Sequence, residues 1–190
     1  MSNLTNDAHE FAAHQHGKKG QLRKYTGDPY IVHPQEVALI VSGVPDCTEE
    51  MIAAAFLHDV VEDTDVHSFE IHDKFGREVG ELVDWLTDIS RPEDGNRRQR
   101  KELDRQHIAQ APVSAKNIKL ADLISNTRSI VENDPKFAVV YLQEKHKLLK
   151  VLQDADPGLL AVARKTLSDG MNHIAEHHPH LLQVNNRRSL

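Results

Sequence analysis

Sulfur is nearly absent from this chain. Its one cysteine, Cys47, cannot close a disulfide within 190 residues, a usage that suits a reducing compartment. No stretch approaches the ~20 apolar residues of a membrane span. The N-terminus, MSNLTNDAHEFAAHQHG, lacks a basic segment followed by an apolar run, so no signal peptide is expected there. A cytoplasmic protein with no membrane partner is the expectation. Positive charge is not in excess either. Lys and Arg number 23 against 29 Asp and Glu, for a net charge of −6. That balance argues against a partner that is a nucleic-acid polymer, although a local basic pocket can still bind an anion. Period-2 strand patterns of useful length, internal repeats and heptad arrays are missing too.

What is present reads as helix. Apolar residues make up 39% and charged residues 27% of the chain, the balance of a soluble globular protein. Helical spacing runs from Leu4 to about His16. GKKGQLRKYTGDPYIVHP, rich in glycine and proline, is a loop. Short helices follow at 35–41 and 68–74. The helix that begins after PDCTEE has Asp46 as its expected N-cap, with Glu49 three residues on in a capping-box pattern. Further helices are expected at 78–89, 97–110, 114–132, 137–153 and 158–176. The expectation is all-α: a single domain of roughly eight to ten helices over residues 1–176, with 177–190 as a flexible tail.

AAAFLHDVVEDTD, residues 53–65, starts as a buried helix and ends in acid. A helix turns about 100° per residue, so His58, Asp59, Glu62 and Asp63 share an arc of about 140°. Acid at a helix C-terminus opposes the macrodipole, and carboxylates crowded on one patch repel unless a cation sits among them. A solvated helix end is the alternative reading. Two other stretches offer ligands. DPYIVHP places His33 between an apolar tripeptide and a proline. KNIKLADLISNTRS sets Asp122 among apolar neighbours, where a lone carboxylate is costly, and aligns Lys119, Asp122 and Asn126 along one face. A buried salt bridge is the alternative for Asp122.

Together His33, the His58-Asp59 doublet and Asp122 resemble the H…HD…D signature of the HD superfamily of metal-dependent phosphohydrolases. The words GDPYIVHPQEVA, AAAFLHDVVEDTD, FGREVGELVDWLTD and IKLADLISNTRS are similar to the hydrolase domain of the RelA/SpoT alarmone enzymes, from about residue 8 to about 155. The length resembles the stand-alone alarmone hydrolases of the metazoan SpoT type, since the chain stops where bifunctional relatives continue.

The resemblance implies manganese-dependent hydrolysis of the 3′-pyrophosphate of guanosine tetra- or pentaphosphate (ppGpp, pppGpp) to GDP or GTP and pyrophosphate. His33, His58, Asp59 and Asp122 would be the metal ligands. With no sulfur in that set a Cys-type zinc site is disfavoured, while zinc and iron stay open as alternatives to manganese. Glu62 and Asp63 would be the catalytic acid/base pair. Arg23, Lys24, Asn126 and Tyr141 would bind the guanosine nucleotide; a solvated pair of loop charges and a core tyrosine are the competing readings for Arg23-Lys24 and Tyr141. Arg97 and Lys101 read as a solvated face rather than as phosphate contacts. Hydrolysis of another nucleotide phosphate, such as NADPH or a deoxynucleotide, is the alternative activity, and an alarmone-binding module without turnover is the third. Self-association into a homo-oligomer stays open.

Overall fold

The computed structural model describes residues 2–186. Eleven α-helical segments and one short 3₁₀ turn account for the architecture, and the described residues hold no strand beyond one isolated bridge, Leu22 to Pro29. The all-α expectation holds. In order the helices are α1 (Asn3–Lys18), α2 (Val32–Val41), α3 (Glu49–Leu57), α4 (Val60–Asp63), α5 (Ser68–Phe75), α6 (Arg77–Leu86), α7 (Arg97–Ala109), α8 (Val113–Asn133), α9 (Pro135–Leu149), α10 (Pro157–His177) and α11 (Pro179–Asn186). None is long and apolar enough to cross a membrane.

Two of these helices form the centre. α3 carries Ala53, Ala54, Ala55, Phe56 and Leu57, all fully or almost fully buried. It touches α1, α2, α6 and α8, which is why its sequence has no polar stripe: a helix surrounded on every side is apolar all round. α8 is the second, packed by α2, α3, α6, α9 and α10. Its buried face includes Ile118, Ala121, Leu123 and Ile124, and the same face carries Asp122 and Ser125. Gly170 of α10 lets that helix close on α8 and α9. A Cβ at this position would meet Val131 Cγ2 at 3.0 Å and Leu142 Cδ2 at 3.3 Å.

Several boundaries differ from the sequence reading, each for a local reason. α2 starts at Val32 rather than Gln35, because Pro34 sits in the first turn, where its missing N–H leaves no bond unmade. His33 therefore stands on a helix and not in a loop. α3 is capped by Thr48, whose Oγ1 accepts from Met51 N at 3.2 Å; Asp46 lies too far upstream to serve. Thr48→Ala should therefore cost about 1 kcal/mol in denaturant unfolding, while Asp46→Ala should be near neutral. α6 stops at Leu86, where Thr87 turns extended. Within the stretch expected to be a flexible tail, 179–186 form α11, and Leu181 and Leu182 pack against the core; residues 187–190 lie outside the described part.

Candidate active site

α3 ends at Leu57 and a new turn, α4, starts at Val60, so the His58-Asp59 doublet sits at a break in what the sequence presents as one helix. The break keeps the spacing that matters: Asp63 N still bonds Asp59 O at 2.9 Å, one helical turn back. His58 Nδ1 donates to the Ala55 carbonyl at 2.8 Å, which turns Nε2 inward. His33, from the first turn of α2, has Nδ1 2.9 Å from Ser125 Oγ and also turns Nε2 inward. Asp59 Oδ2 lies 3.0 Å from His58 Nε2 and 3.6 Å from His33 Nε2. Asp122 Oδ1, reaching in from α8, is 3.3 Å from His33 Nε2 and 4.0 Å from His58 Nε2.

The two inward nitrogens are buried and neither makes a hydrogen bond. Orphaned polar atoms of this kind are expensive. A shared cation would satisfy both at once. The donor atoms of His33, His58 and Asp59 lie within 4.8 Å of one another, the one such cluster among the described residues, and Asp122 adds a fourth corner. Two imidazoles and two carboxylates suit a divalent transition metal. Without one, the charges are balanced by protons. Burial alone would lower the His58 pKa, but the Asp59 and Asp122 carboxylates outweigh it and lift it to about 9. Burial would likewise raise Asp59 and Asp122. The imidazoles beside them, with Lys119 in the case of Asp122, hold both below the usual carboxylate range. Cation binding should therefore release a proton from His58, and affinity should rise with pH.

A second ring of contacts orients these groups. Tyr30 donates to Asp59 Oδ2 at 2.6 Å. Asn126 donates to Asp122 Oδ1 at 2.6 Å and accepts from Arg23 Nη1 at 3.2 Å. Arg23 is placed by a turn that closes with Arg23 N on Asp28 O, where Gly27 takes a φ of 75°. Lys119 Nζ stands 3.7 Å from Asp122 Oδ2. Burial would lower the Lys119 pKa, but Asp122, Asp88 and Glu62 raise it further, so the ammonium stays charged.

The acidic pair separates. Glu62 reaches into the cleft beside Asp88, whose N–H donates to Glu62 Oε1 at 2.6 Å. The residue keeps exposed surface, yet the surrounding walls desolvate the carboxyl and push its pKa up to about 7, with Asp88 and Asp59 adding to the rise against Lys119. Asp63 is exposed and accepts from Gln21 Nε2 at 2.8 Å. Asp65 pairs with Lys19 at 2.5 Å, apart from the cluster. The raised Glu62 pKa has a stability consequence. A carboxyl whose folded pKa lies above its unfolded one favours the fold at pH below about 4.5, and that contribution is lost as pH rises through about 7. Glu62→Gln should therefore gain stability over the parent as metal-free protein is taken from pH 5 to pH 8 in thermal unfolding.

Beside the cluster lies a cavity of about 350 Å³ lined by Lys119, Asn126, Tyr141, Arg97, Lys101 and Lys145 among others. A second, of about 460 Å³, shares Thr87, Asp88, Arg97 and Lys101 and brings in Glu62. Arg97 and Lys101, which read as a solvated face, thus line the cleft. Arg97 makes a two-pronged pair with Glu144 at 2.8 and 2.8 Å, and Lys101 reaches Asp88 at 2.5 Å. Tyr141 lends the cavity its ring, while its hydroxyl turns to the core, 3.4 Å from Leu123 O. Lys24 does not line either cavity and is paired with Asp134 at 3.2 Å. Lys145, Tyr30 and Asp88 had no role in the sequence reading; the spacing of Lys145 four residues past Tyr141 was the available signal.

Residues 8–152 match the HD domain family. The chain belongs to that family. Among its HD-domain relatives is the mouse (Mus musculus) guanosine-3′,5′-bis(diphosphate) 3′-pyrophosphohydrolase MESH1, 38% identical over 128 residues, which cover 65% of this chain and 68% of MESH1. The pyrophosphohydrolase of Aquifex aeolicus is 46% identical over 84 residues, 44% of this chain but only 12% of that longer protein. The solved structure of a metazoan SpoT ortholog, described as hydrolysing ppGpp, superposes with a TM-score of 0.78 at 29% identity, covering 89% of this chain and 96% of the other. Listeria monocytogenes lmo0812 shares the fold at 22% identity and a TM-score of 0.62, over 76% of this chain and 99% of that one. The RelA/SpoT-type resemblance carried by the motif words is thus borne out.

Proposed function

We propose that this HD-domain protein hydrolyses the 3′-pyrophosphate of ppGpp and pppGpp, yielding GDP or GTP and pyrophosphate. One observation carries the reading: two buried, unpartnered imidazole nitrogens face two carboxylates at the edge of a cation-lined cleft. The likeness to MESH1 supports the choice of substrate. His33, His58, Asp59 and Asp122 would hold the cation, which we assign as manganese, with zinc and iron as the alternatives. When bound, it supplies Lewis acidity toward a phosphate oxygen and acidifies water.

The chain's own groups do the rest. Glu62, with its carboxyl pushed up to about 7, takes the proton of the attacking water near neutral pH, and Asp63 helps to orient that water. Lys119, fixed beside Asp122, offsets negative charge as it builds on the phosphate. Arg97 and Lys101 line the path for further phosphates. They are already paired with Glu144 and Asp88, so an anionic ligand exchanges partners rather than meeting bare charge. Arg23 offers a guanidinium plane to the purine, Asn126 a polar edge, Tyr141 a wall, and Lys24 a further positive charge. Both cavities fall in the size range of small-ligand sites.

A nucleotide panel tests the substrate. With manganese present, kcat/KM for ppGpp should exceed that for NADPH and for deoxynucleoside triphosphates by roughly tenfold or more, a transition-state difference of about 1.4 kcal/mol. A higher value for either competitor would move the assignment to that nucleotide. Recovery of intact ppGpp from a tight complex would instead leave a binding module.

A further inference from the structure

His33 and His58 present the same nitrogen to the centre but are held by different means. The Nδ1 partner of His58 is the main-chain carbonyl of Ala55, which can only accept, so Nδ1 carries the hydrogen. The Nδ1 partner of His33 is the Ser125 hydroxyl, which can donate or accept. Taken alone, that contact leaves the ring's tautomer open.

Glu36 closes the question. Ser125 Oγ donates to Glu36 Oε2 at 2.8 Å. A hydroxyl has one hydrogen, and a carboxylate oxygen has none to offer. With its hydrogen committed to Glu36, Ser125 can only accept from His33. The imidazole must then carry its hydrogen on Nδ1 and turn a lone pair at Nε2 toward the centre. His33 and Ser125 are 1% and 2% exposed, which keeps bulk water from replacing either bond. The competing tautomer has an obvious attraction: a hydrogen on Nε2 could be donated to Asp122 Oδ1, 3.3 Å away, but it would block the nitrogen a cation needs. The three residues come from two helices. Glu36 stands three residues past His33 on α2, and Ser125 three residues past Asp122 on α8. The α8 face that supplies one carboxylate therefore also supplies the hydroxyl that orients an imidazole.

We infer that Glu36 and Ser125 are positioning residues, a carboxylate–hydroxyl–imidazole relay that fixes the His33 tautomer and so sets the centre's affinity for its cation. Neither residue touches substrate. The affinity part rests on reading the four-residue cluster as a metal centre; the tautomer part does not.

The tautomer is read first, in chelator-treated protein at pH 8, by imidazole ¹⁵N–¹H correlation spectra. The parent should show His33 with hydrogen on Nδ1. Ser125→Ala and Glu36→Ala should each shift His33 toward the Nε2–H form and leave His58, bonded to main chain, unchanged. Affinity is read next by electron paramagnetic resonance with manganous ion alone. Each single variant should bind about 10–100-fold more weakly. The double variant should bind no more weakly than the worse single, because the two residues form one chain of bonds. Ser125→Thr, which keeps a hydroxyl, should recover most of the loss. Glu36 is only partly buried, so Glu36→Ala carries the test if Ser125→Ala fails to fold. An Nε2–H tautomer in the parent overturns the inference, as do unchanged affinities in both single variants or losses that multiply in the double. A parent that binds no manganous ion defeats the metal reading and leaves the relay to stand or fall on the spectra.

Discussion

His58→Ala and Asp59→Ala should each lower turnover of ppGpp by roughly 1,000-fold or more, since Lewis-acid stabilisation is worth several kcal/mol and each 1.36 kcal/mol is a factor of ten. Both residues present an atom to the same point: His58 Nε2 and Asp59 Oδ2 are 3.0 Å apart. Removing either leaves the remaining donors without a closed set. The loss has to be traced to the cation and not to the fold, and thermal unfolding separates the two. Manganous ion at 100 times its Kd should stabilise the parent by about 2.7 kcal/mol. The variants should remain folded without it and gain much less when it is added. A variant that keeps both the manganese-dependent rise in Tm and the activity would remove its residue from the ligand set.

Glu62→Gln should cost about 10²–10⁴-fold in kcat while leaving manganese affinity close to that of the parent, because in the proposed mechanism it removes a general base and no ligand. This separation of effects distinguishes Glu62 from His58 and Asp59, four and three residues earlier. The pH profile adds a second mark. A base whose carboxyl is pushed up to about 7 by burial must lose its proton to act, so the parent's kcat/KM should rise through the neutral range and level off above it. In Glu62→Gln that rising limb should disappear from whatever activity remains. Asp63→Asn should be milder. Its side chain is already engaged with Gln21.

How much of this could be read from sequence depends on the kind of physics involved. The helices were legible wherever one face is apolar, as in α6, where Val79, Leu82, Val83 and Leu86 are all buried. α3 was legible for the opposite reason, because an unbroken apolar run signals a helix enclosed on all sides. The proposed ligand set is suggested only by family words, since no local pattern says that residues 33, 58 and 122 converge. What stayed hidden was tertiary. A highly charged helix such as α7 looks solvated all round, and nothing in its spacing says that Arg97 and Lys101 line a cavity between α7 and α9. Tyr30 and Glu36 looked like loop and helix residues of no consequence until folding brought one to Asp59 and the other to Ser125. The break at His58-Asp59 was also invisible, because both residues are compatible with continuing the helix.

In the proposed reaction, this centre directs water onto the phosphorus of a 3′-pyrophosphate. Its most direct test is to run the manganese-supplemented protein on ppGpp in ¹⁸O-enriched water and weigh both products. GDP should carry no heavy oxygen and pyrophosphate should carry one per turnover, with no reaction in the His58→Ala variant. Intact ppGpp after prolonged incubation, heavy oxygen in GDP, or loss of the 5′-phosphates in place of the 3′-pyrophosphate would contradict it.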